Sequence, residues 1–277
     1  MTLRQALENA KRQLAQSQIS EADNDAWQLM EESFGIDRTF YYMHVDDEAD
    51  DKAVAVFEDY VKRRTKREPL QYILGKAYFM GYEFNVNEHV LIPRFDTEIL
   101  VENAIKYIKD GDRILDMCTG SGCIAIALAK TTGASEVTAA DISPDAIKVA
   151  ELNVEKLSPC NVALIESDMF SNVEGKYNMI VSNPPYIPTE DISKLEPEVR
   201  IGEPMIALDG SEDGLKFYRI IARDSIKFLE EQGILMVEIG YNQAEAVKTL
   251  LEENKYTDIM VIKDLAGLDR VVCGRRM

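Results

Sequence analysis

Histidine and tryptophan are nearly absent from this 277-residue chain, which has two of the first and one of the second. Chemistry that needs a histidine base therefore has only His44 and His89 to draw on, and both read as surface or hairpin residues. Cysteine is also scarce. Cys118, Cys123, Cys160 and Cys273 show neither metal-ligand spacing nor the pattern of a disulfide framework. No metal is expected, and a reducing, cytoplasmic setting is. No apolar run approaches the length that spans a bilayer. Met1 to Gln16 lacks the apolar centre of a signal peptide and reads as an amphipathic helix. Basic residues are in deficit, 31 against 49 acidic ones, for a net charge of −18. That balance counts against a protein that grips a phosphate backbone over many contacts, so direct nucleic-acid binding is not expected.

What is present divides in two. The first 70 residues are patterned as helices. Thr2 with Gln5 and Ser20 with Asp23 look like helix starts. Leu3, Ala6, Leu7, Ala10 and Leu14 recur at helical spacing. A third helix is expected from about Asp47 to Arg67, burying Ala53, Val54, Phe57, Tyr60 and Val61. The acidic run Asp46 to Asp51 suits its start. Lys62 to Arg67, the one dense basic run, reads as its solvated end or as a contact to an acidic partner. Ala77 to Val90 alternates like a β-hairpin, and Pro93 to Ile108 returns to helix.

From Arg113, short apolar strands alternate with helical stretches. The expected strands are Ile114–Met117, Val137–Ala140, Ala163–Ile165, Met179–Ser182, Ile234–Ile239, Ile259–Ile262 and Arg270–Cys273. Long helices between the first five imply an α/β fold with a parallel sheet covered on both faces. The short link between the last two makes that pair antiparallel. The division expected is a helical domain over 1–75, a linking hairpin over 76–90 and a nucleotide-binding domain over 91–277.

Two motifs carry chemistry. Asp116-Met117-Cys118-Thr119-Gly120-Ser121-Gly122 ends the first of these strands and opens a helix, where ligands of such sheets bind. Asp141 ends the second strand and can accept from both ribose hydroxyls. Gly120-Ser121-Gly122 with Ala125 also fits a dinucleotide fingerprint. Asp116 favours S-adenosylmethionine, because a carboxylate at the mouth repels a pyrophosphate and attracts an ammonium. Asp168 and Met169, after the third strand, are placed to meet the adenine.

Asn183-Pro184-Pro185-Tyr186 follows the fourth strand. An amide or aromatic amino nitrogen is a poor nucleophile because its lone pair is delocalised. Acceptors on both N–H groups favour a pyramidal nitrogen; the Asn183 side chain and the Pro184 backbone carbonyl can be those acceptors. The prolines hold the segment extended, and Tyr186 offers a flat face to a planar group. The substrate-binding set is thus Asn183, Pro184, Pro185 and Tyr186, with Asn183 and Pro184 catalytic. Chemistry alone leaves adenine and a glutamine amide equally open. A noncatalytic nucleotide-binding module is disfavoured by the presence of both motifs.

These motifs resemble the peptide chain release factor glutamine N5-methyltransferases. Pro69-Leu70-Gln71-Tyr72-Ile73-Leu74-Gly75 is similar to the stretch joining that family's two domains. Leu91-Ile92-Pro93-Arg94-Phe95-Asp96-Thr97-Glu98 is similar to its Ile-Pro-Arg-Pro-Asp-Thr-Glu segment, with Phe95 in place of a proline. Glu203-Pro204, Ala207 to Gly210, Asp213 to Leu215, Glu238-Ile239-Gly240 and Asp264 to Arg270 resemble the segments that follow. The resemblance implies a class I Rossmann-like methyltransferase domain of seven strands with an antiparallel last pair. It implies release factors as protein partners, with the glutamine of their Gly-Gly-Gln loop as the methyl acceptor and S-adenosylhomocysteine as product. It also implies that Cys118 to Gly122, Asp141 and Asn183 contact the cofactor, and that the N-terminal helices recognise the protein substrate. An adenine-N6 DNA or RNA methyltransferase is the alternative. The family usually has glycine where this chain has Cys118; activity is expected to survive the change, with looser cofactor binding or a thiol open to oxidation as its conceivable consequences.

Overall fold

The computed structural model describes residues 1–159 and 161–277, so Cys160 lies outside the described residues. The chain forms two compact units, one of residues 1–75 with 196–202 and the other of residues 76–195 with 203–277.

The first unit is helical. In α1 (Leu3–Gln16), Thr2 and Gln5 cap each other's backbone N–H groups, and Leu3, Ala6, Leu7, Ala10 and Leu14 form the buried stripe. In α2 (Ala22–Phe34) the cap position is Glu21 without a side-chain bond, so Ser20 does not cap. A short helix not expected from the sequence precedes the one expected from about Asp47. A short α3 (Arg38–His44) is capped by Asp37. Then α4 (Asp51–Thr65) starts where the Asp50 carboxylate takes the N–H groups of Lys52 and Ala53. The acidic run is divided among separate tasks, because Asp46 pairs with Arg4 and Asp47 with His44. Of the residues expected inside, Phe57 and Val61 are buried, whereas Ala53, Val54 and Tyr60 are partly covered. A further short helix, α5 (Leu70–Leu74), ends at Gly75, whose φ of 70° suits glycine.

The basic run is largely consumed within this unit. Arg63 pairs with Glu68, Arg64 with Asp25 and Glu198, and Arg67 with Glu198. Only Lys62 and Lys66 of its five cations stay exposed.

The second unit begins with a hairpin, β1 (Lys76–Phe79) and β2 (Tyr82–Asn85). Met80 and Gly81 both have positive φ, as a tight two-residue turn requires. The strands stop at Asn85, short of the expected Val90. Next come α6 (Phe95–Ile105), β3 (Arg113–Met117), α7 (Cys123–Thr131), β4 (Glu136–Asp141), α8 (Pro144–Leu157), β5 (Val162–Glu166) and β6 (Tyr177–Ser182). After α9 (Pro197–Gly202), which belongs to the helical unit, follow α10 (Met205–Leu208), α11 (Lys216–Asp224), β7 (Leu229–Glu238), α12 (Ala244–Glu253), β8 (Tyr256–Lys263) and β9 (Asp269–Arg276).

All seven expected strands form one sheet in the order β5-β4-β3-β6-β7-β9-β8. The first five in that order run parallel, and β9 is antiparallel to both β7 and β8. The helix expected between β5 and β6 does not form. The Ser167 hydroxyl donates to the Met169 carbonyl and accepts from the Asn172 N–H, which turns the chain tightly instead. Separate apolar clusters gather around Ile124, Val137 and Met179 and around Leu115, Ile180 and Val237. Among the described residues, no helix is long and apolar enough to cross a membrane. The chain leaves β3 toward β4 on one side and reaches β6 on the other, which opens a crevice beyond the strands' carboxyl ends.

Candidate active site

A cavity of about 400 Å³ fills that crevice. Cys118, Thr119, Gly120, Ser121, Asp141, Asp168, Met169, Asn183 and Pro185 all line it. Its apolar wall comes from Val90, Leu91, Ile142, Ile206, Phe217 and Ile220.

The loop after β3 is held from several sides. Gly120 has a φ of 55°, and a Cβ there would meet nothing within 4 Å, so the backbone faces open space. Gly122 has a φ of 80°, and an added Cβ would lie 3.3 Å from Ala150 and Ile126, so glycine lets the loop pack on α8 and α7. The Asp141 carboxylate accepts the Gly120 N–H at 2.8 Å and the Ser143 N–H at 2.9 Å. Burial raises its pKa, and those N–H groups oppose the rise. Asn153 of α8, fully buried, donates to the backbone oxygens of Ser121 and Asn85 and accepts the Asn85 N–H. It fastens loop, helix and hairpin together.

Asp116 is not at the mouth. It is fully buried behind the loop, where Oδ2 accepts from the Thr119 hydroxyl at 2.5 Å and the Ala125 N–H at 3.1 Å. Its Oδ1 has no hydrogen-bond partner among the described residues. Burial pushes its pKa up to about 7, against the pull of those two donors. The sequence places an acid at this position but cannot show which way it faces.

Cys118 adopts a φ of 61°, the left-handed region that glycine enters without cost. Burial, and then Asp141, push its thiol well above the usual range. A thiol that stays protonated is a poor nucleophile, which argues against the expected oxidation sensitivity.

The Asn-Pro-Pro-Tyr segment leaves β6 beside this loop. The Ser182 hydroxyl donates to the Met117 carbonyl at 2.7 Å, tying β6 to β3. The Asn183 amide nitrogen donates to the Thr97 hydroxyl at 3.1 Å. That leaves Oδ1 as the polar atom on the cavity side. Pro184 and Pro185 are buried, and Pro184, Gly122 and Tyr186 are not among the lining residues. Tyr186 points its hydroxyl at Glu238 Oε1, 3.4 Å away. Burial, and then the Glu238 charge, push its pKa up.

Four residues here had no assigned role in the sequence. Thr97 and Glu238 stand inside recognisable motifs, but nothing in their order shows that they meet Asn183 and Tyr186. Asn153 lies mid-helix without a motif. Arg94 lines the cavity and pairs with the buried Glu203. His89 is exposed on the cavity rim. Among the described residues, no group of His, Cys, Asp and Glu is arranged to hold a metal.

Comparison with known proteins places this geometry. Residues 5–75 match the PrmC N-terminal domain and residues 94–200 the methyltransferase small domain. A release factor glutamine methyltransferase of Geobacter sulfurreducens is 42% identical over 99% of this chain and 96% of its own. One of Caulobacter vibrioides is 37% identical over the same shares of the two chains, 99% and 96%. A methyltransferase structure from Pyrococcus furiosus shares the fold, with a TM-score of 0.53 at 15% identity over 72% of this chain and 90% of that one. With relatives this similar along nearly its whole length, the chain belongs to the release factor glutamine methyltransferase family.

Proposed function

We propose that this enzyme transfers the methyl group of S-adenosylmethionine to the side-chain amide nitrogen of the glutamine in the Gly-Gly-Gln loop of bacterial peptide chain release factors. The products are N5-methylglutamine and S-adenosylhomocysteine. The observation that carries the reading is the orientation of Asn183, whose nitrogen is engaged by Thr97 so that its oxygen is left for the cavity.

The residues present fit the cofactor. Gly120 leaves its backbone open, Asp141 offers carboxylate lone pairs to ribose hydroxyls, and the apolar wall suits an adenine ring. Cys118, Thr119, Ser121, Asp168 and Met169 complete the lining. Asp116 and Gly122 act from behind it, by holding the loop in shape. When bound, S-adenosylmethionine supplies an electrophilic methyl group on a sulfonium.

The protein's task is to make the amide nitrogen receptive. Asn183 Oδ1 accepts one N–H of the glutamine amide and the Pro184 backbone carbonyl accepts the other. Both bonds strengthen as the nitrogen becomes pyramidal and its N–H groups more acidic, so they act mainly in the transition state. Pro185 and Tyr186 keep the segment rigid. The cationic nitrogen then gives up its extra proton to solvent, and His89 on the cavity rim is assigned no part in the step. The helical unit recognises the release factor, and the reaction takes place in the cytoplasm without metal or direct nucleic-acid contact.

The test is transfer of label from S-adenosylmethionine to a release factor, DNA and RNA offered separately. Label on the release factor supports the reading. Label on adenine in either nucleic acid, with the release factor bare, replaces it with the adenine-N6 alternative.

A further inference from the structure

β6 and β7 are parallel neighbours, with Ser182 opposite Val237. The residues one step beyond, Asn183 and Glu238, therefore emerge side by side at the sheet's carboxyl edge. Glu238 is only 1% exposed. Its Oε1 accepts from the Tyr186 hydroxyl, and its Oε2 has no hydrogen-bond partner among the described residues. Thr97, in the first turn of α6, is 3% exposed and faces both residues. Its oxygen takes the Asn183 N–H at 3.1 Å.

A hydroxyl has one proton. Thr97 does not spend it on Asn183, and the buried, unpartnered Oε2 of the neighbouring Glu238 is the acceptor available to it. The direction this implies is from Asn183 to Thr97, by the bond present, and from Thr97 to the Glu238 carboxylate, once the hydroxyl proton turns to Oε2. That direction holds only while Glu238 is an acceptor. A protonated Glu238 can donate to Thr97 instead. Thr97 then turns its own proton to Asn183, whose amide satisfies it best by flipping Oδ1 inward and its NH2 toward the cavity. Two donors then face each other, the Asn183 NH2 and the substrate N–H groups.

We propose that Glu238 is a positioning residue for methyl transfer, fixing through Thr97 which atom of the Asn183 amide faces the substrate and holding Tyr186 directly. This inference rests on the reading that Asn183 Oδ1 accepts from the methylated amide. Glu238 itself is not among the residues that line the cavity.

The groups around Glu238 decide when it is charged. Burial pushes its pKa up to about 7, Thr97, Arg270 and Tyr186 pull it down, and Asp96 raises it. Arg270 is shared between Asp264 and Asp96, each at 3.0 Å, so its charge is only partly available. Tyr218 donates to the Glu238 backbone oxygen and leaves the carboxylate alone. The competent, ionised form therefore gains population as pH rises through about 7. Asp116 titrates in the same range, so the profile must be compared between variants.

The experiment measures kcat and KM for release-factor methylation, and the dissociation constant for S-adenosylhomocysteine, across pH in wild type, Glu238→Gln, Thr97→Val and Thr97→Ser. Glu238→Gln and Thr97→Val are expected to lower kcat at pH 8 by about tenfold or more, with cofactor affinity within about twofold of wild type. Thr97→Ser, which keeps the hydroxyl, is expected to stay within about threefold of wild-type kcat. Glu238→Gln should also lose part of the acid limb. Unchanged kcat and an unchanged acid limb in Glu238→Gln overturn the proposal. So does Thr97→Ser as poor as Thr97→Val, because a packing role and not the hydroxyl would then explain both. If Glu238→Gln does not fold, the Thr97 pair decides alone. If wild type methylates a different acceptor, the substrate reading fails, and the same variants on that acceptor still decide the role of Glu238.

Discussion

The side-chain nitrogen of Asn183 lies 3.1 Å from the hydroxyl oxygen of Thr97, which comes from a helix 86 positions earlier in the chain. An asparagine amide carries a donor and an acceptor of nearly equal size, and only its partners determine which one faces a ligand. Asn183→Asp presents an oxygen on both sides and places a negative charge against the Glu238 cluster. Asn183→Ala removes both groups. Each is expected to lower kcat by about a hundredfold or more, with S-adenosylhomocysteine affinity changed only a few-fold. Calorimetry beside single-turnover transfer checks this, and retained turnover in Asn183→Ala removes the residue from its role.

Asp141 spends one lone pair of each oxygen on the N–H groups of Gly120 and Ser143. The remaining lone pairs are its means of holding a ribose. Asp141→Asn replaces one acceptor oxygen with a donor that meets an N–H, so it disturbs the loop as well as the ligand. Cofactor affinity is expected to fall by about tenfold or more, the cost of a charged hydrogen bond. A calorimetric dissociation constant equal to wild type would show that the carboxylate only shapes the loop.

Asn153 makes three hydrogen bonds from a fully buried position. Asn153→Ala strands the Asn85 N–H and weakens both carbonyl contacts. The expected destabilisation is about 2–3 kcal/mol, read from the urea midpoint. A loss under about 0.5 kcal/mol would mean that water replaces the amide without cost.

At Cys118 two small effects oppose each other. Glycine relieves the left-handed strain, on the order of 1 kcal/mol, but enlarges the unfolded ensemble by a similar amount. Cys118→Gly is therefore expected to change unfolding free energy by less than about 1 kcal/mol. Tighter cofactor binding in this variant supports the idea that the side chain loosens the site, and unchanged or weaker binding contradicts it.

Much of this fold can be read from the order of residues alone. Short apolar runs such as Ile114–Met117 and Met179–Ser182 give the strands, because a strand buried on both faces needs little else. Asn183 to Tyr186 stands out because two prolines and an amide after a strand have few other uses. Other features depend on through-space contacts. Thr97 and Glu238 acquire meaning only once α6, β6 and β7 converge. Asp116 reads as a ligand-facing acid until Thr119 and Ala125 are seen to claim it. The missing helix before β6 reflects a serine-centred turn, and the insertion of β9 between β7 and β8 follows from pairing that no local pattern encodes.

Two buried carboxyls contribute a pH dependence to stability, beside Asp25, Asp141 and Glu203, whose pKa values burial also raises. Asp116 and Glu238 both have their pKa raised to about 7, from 3.8 and 4.5. Between those limits the native state binds more protons than the unfolded chain. Their contribution is therefore fully present below the unfolded values and is lost as pH rises through about 7. Asp213 and Asp224 have their pKa lowered to about 2, so their contribution changes only in stronger acid. Melting temperature is expected to decline between about pH 4 and 7 and to level off above that range, and Glu238→Gln should flatten the decline. An equal slope in wild type and variant contradicts the assignment.

The most direct measurement is fragmentation mass spectrometry of a release factor after incubation with the enzyme and methyl-labelled S-adenosylmethionine. One added methyl on the side-chain nitrogen of the Gly-Gly-Gln glutamine, absent with Asn183→Ala, is the expected result. A methyl group on any other residue, or an unmodified glutamine while DNA or RNA acquires the label, contradicts it.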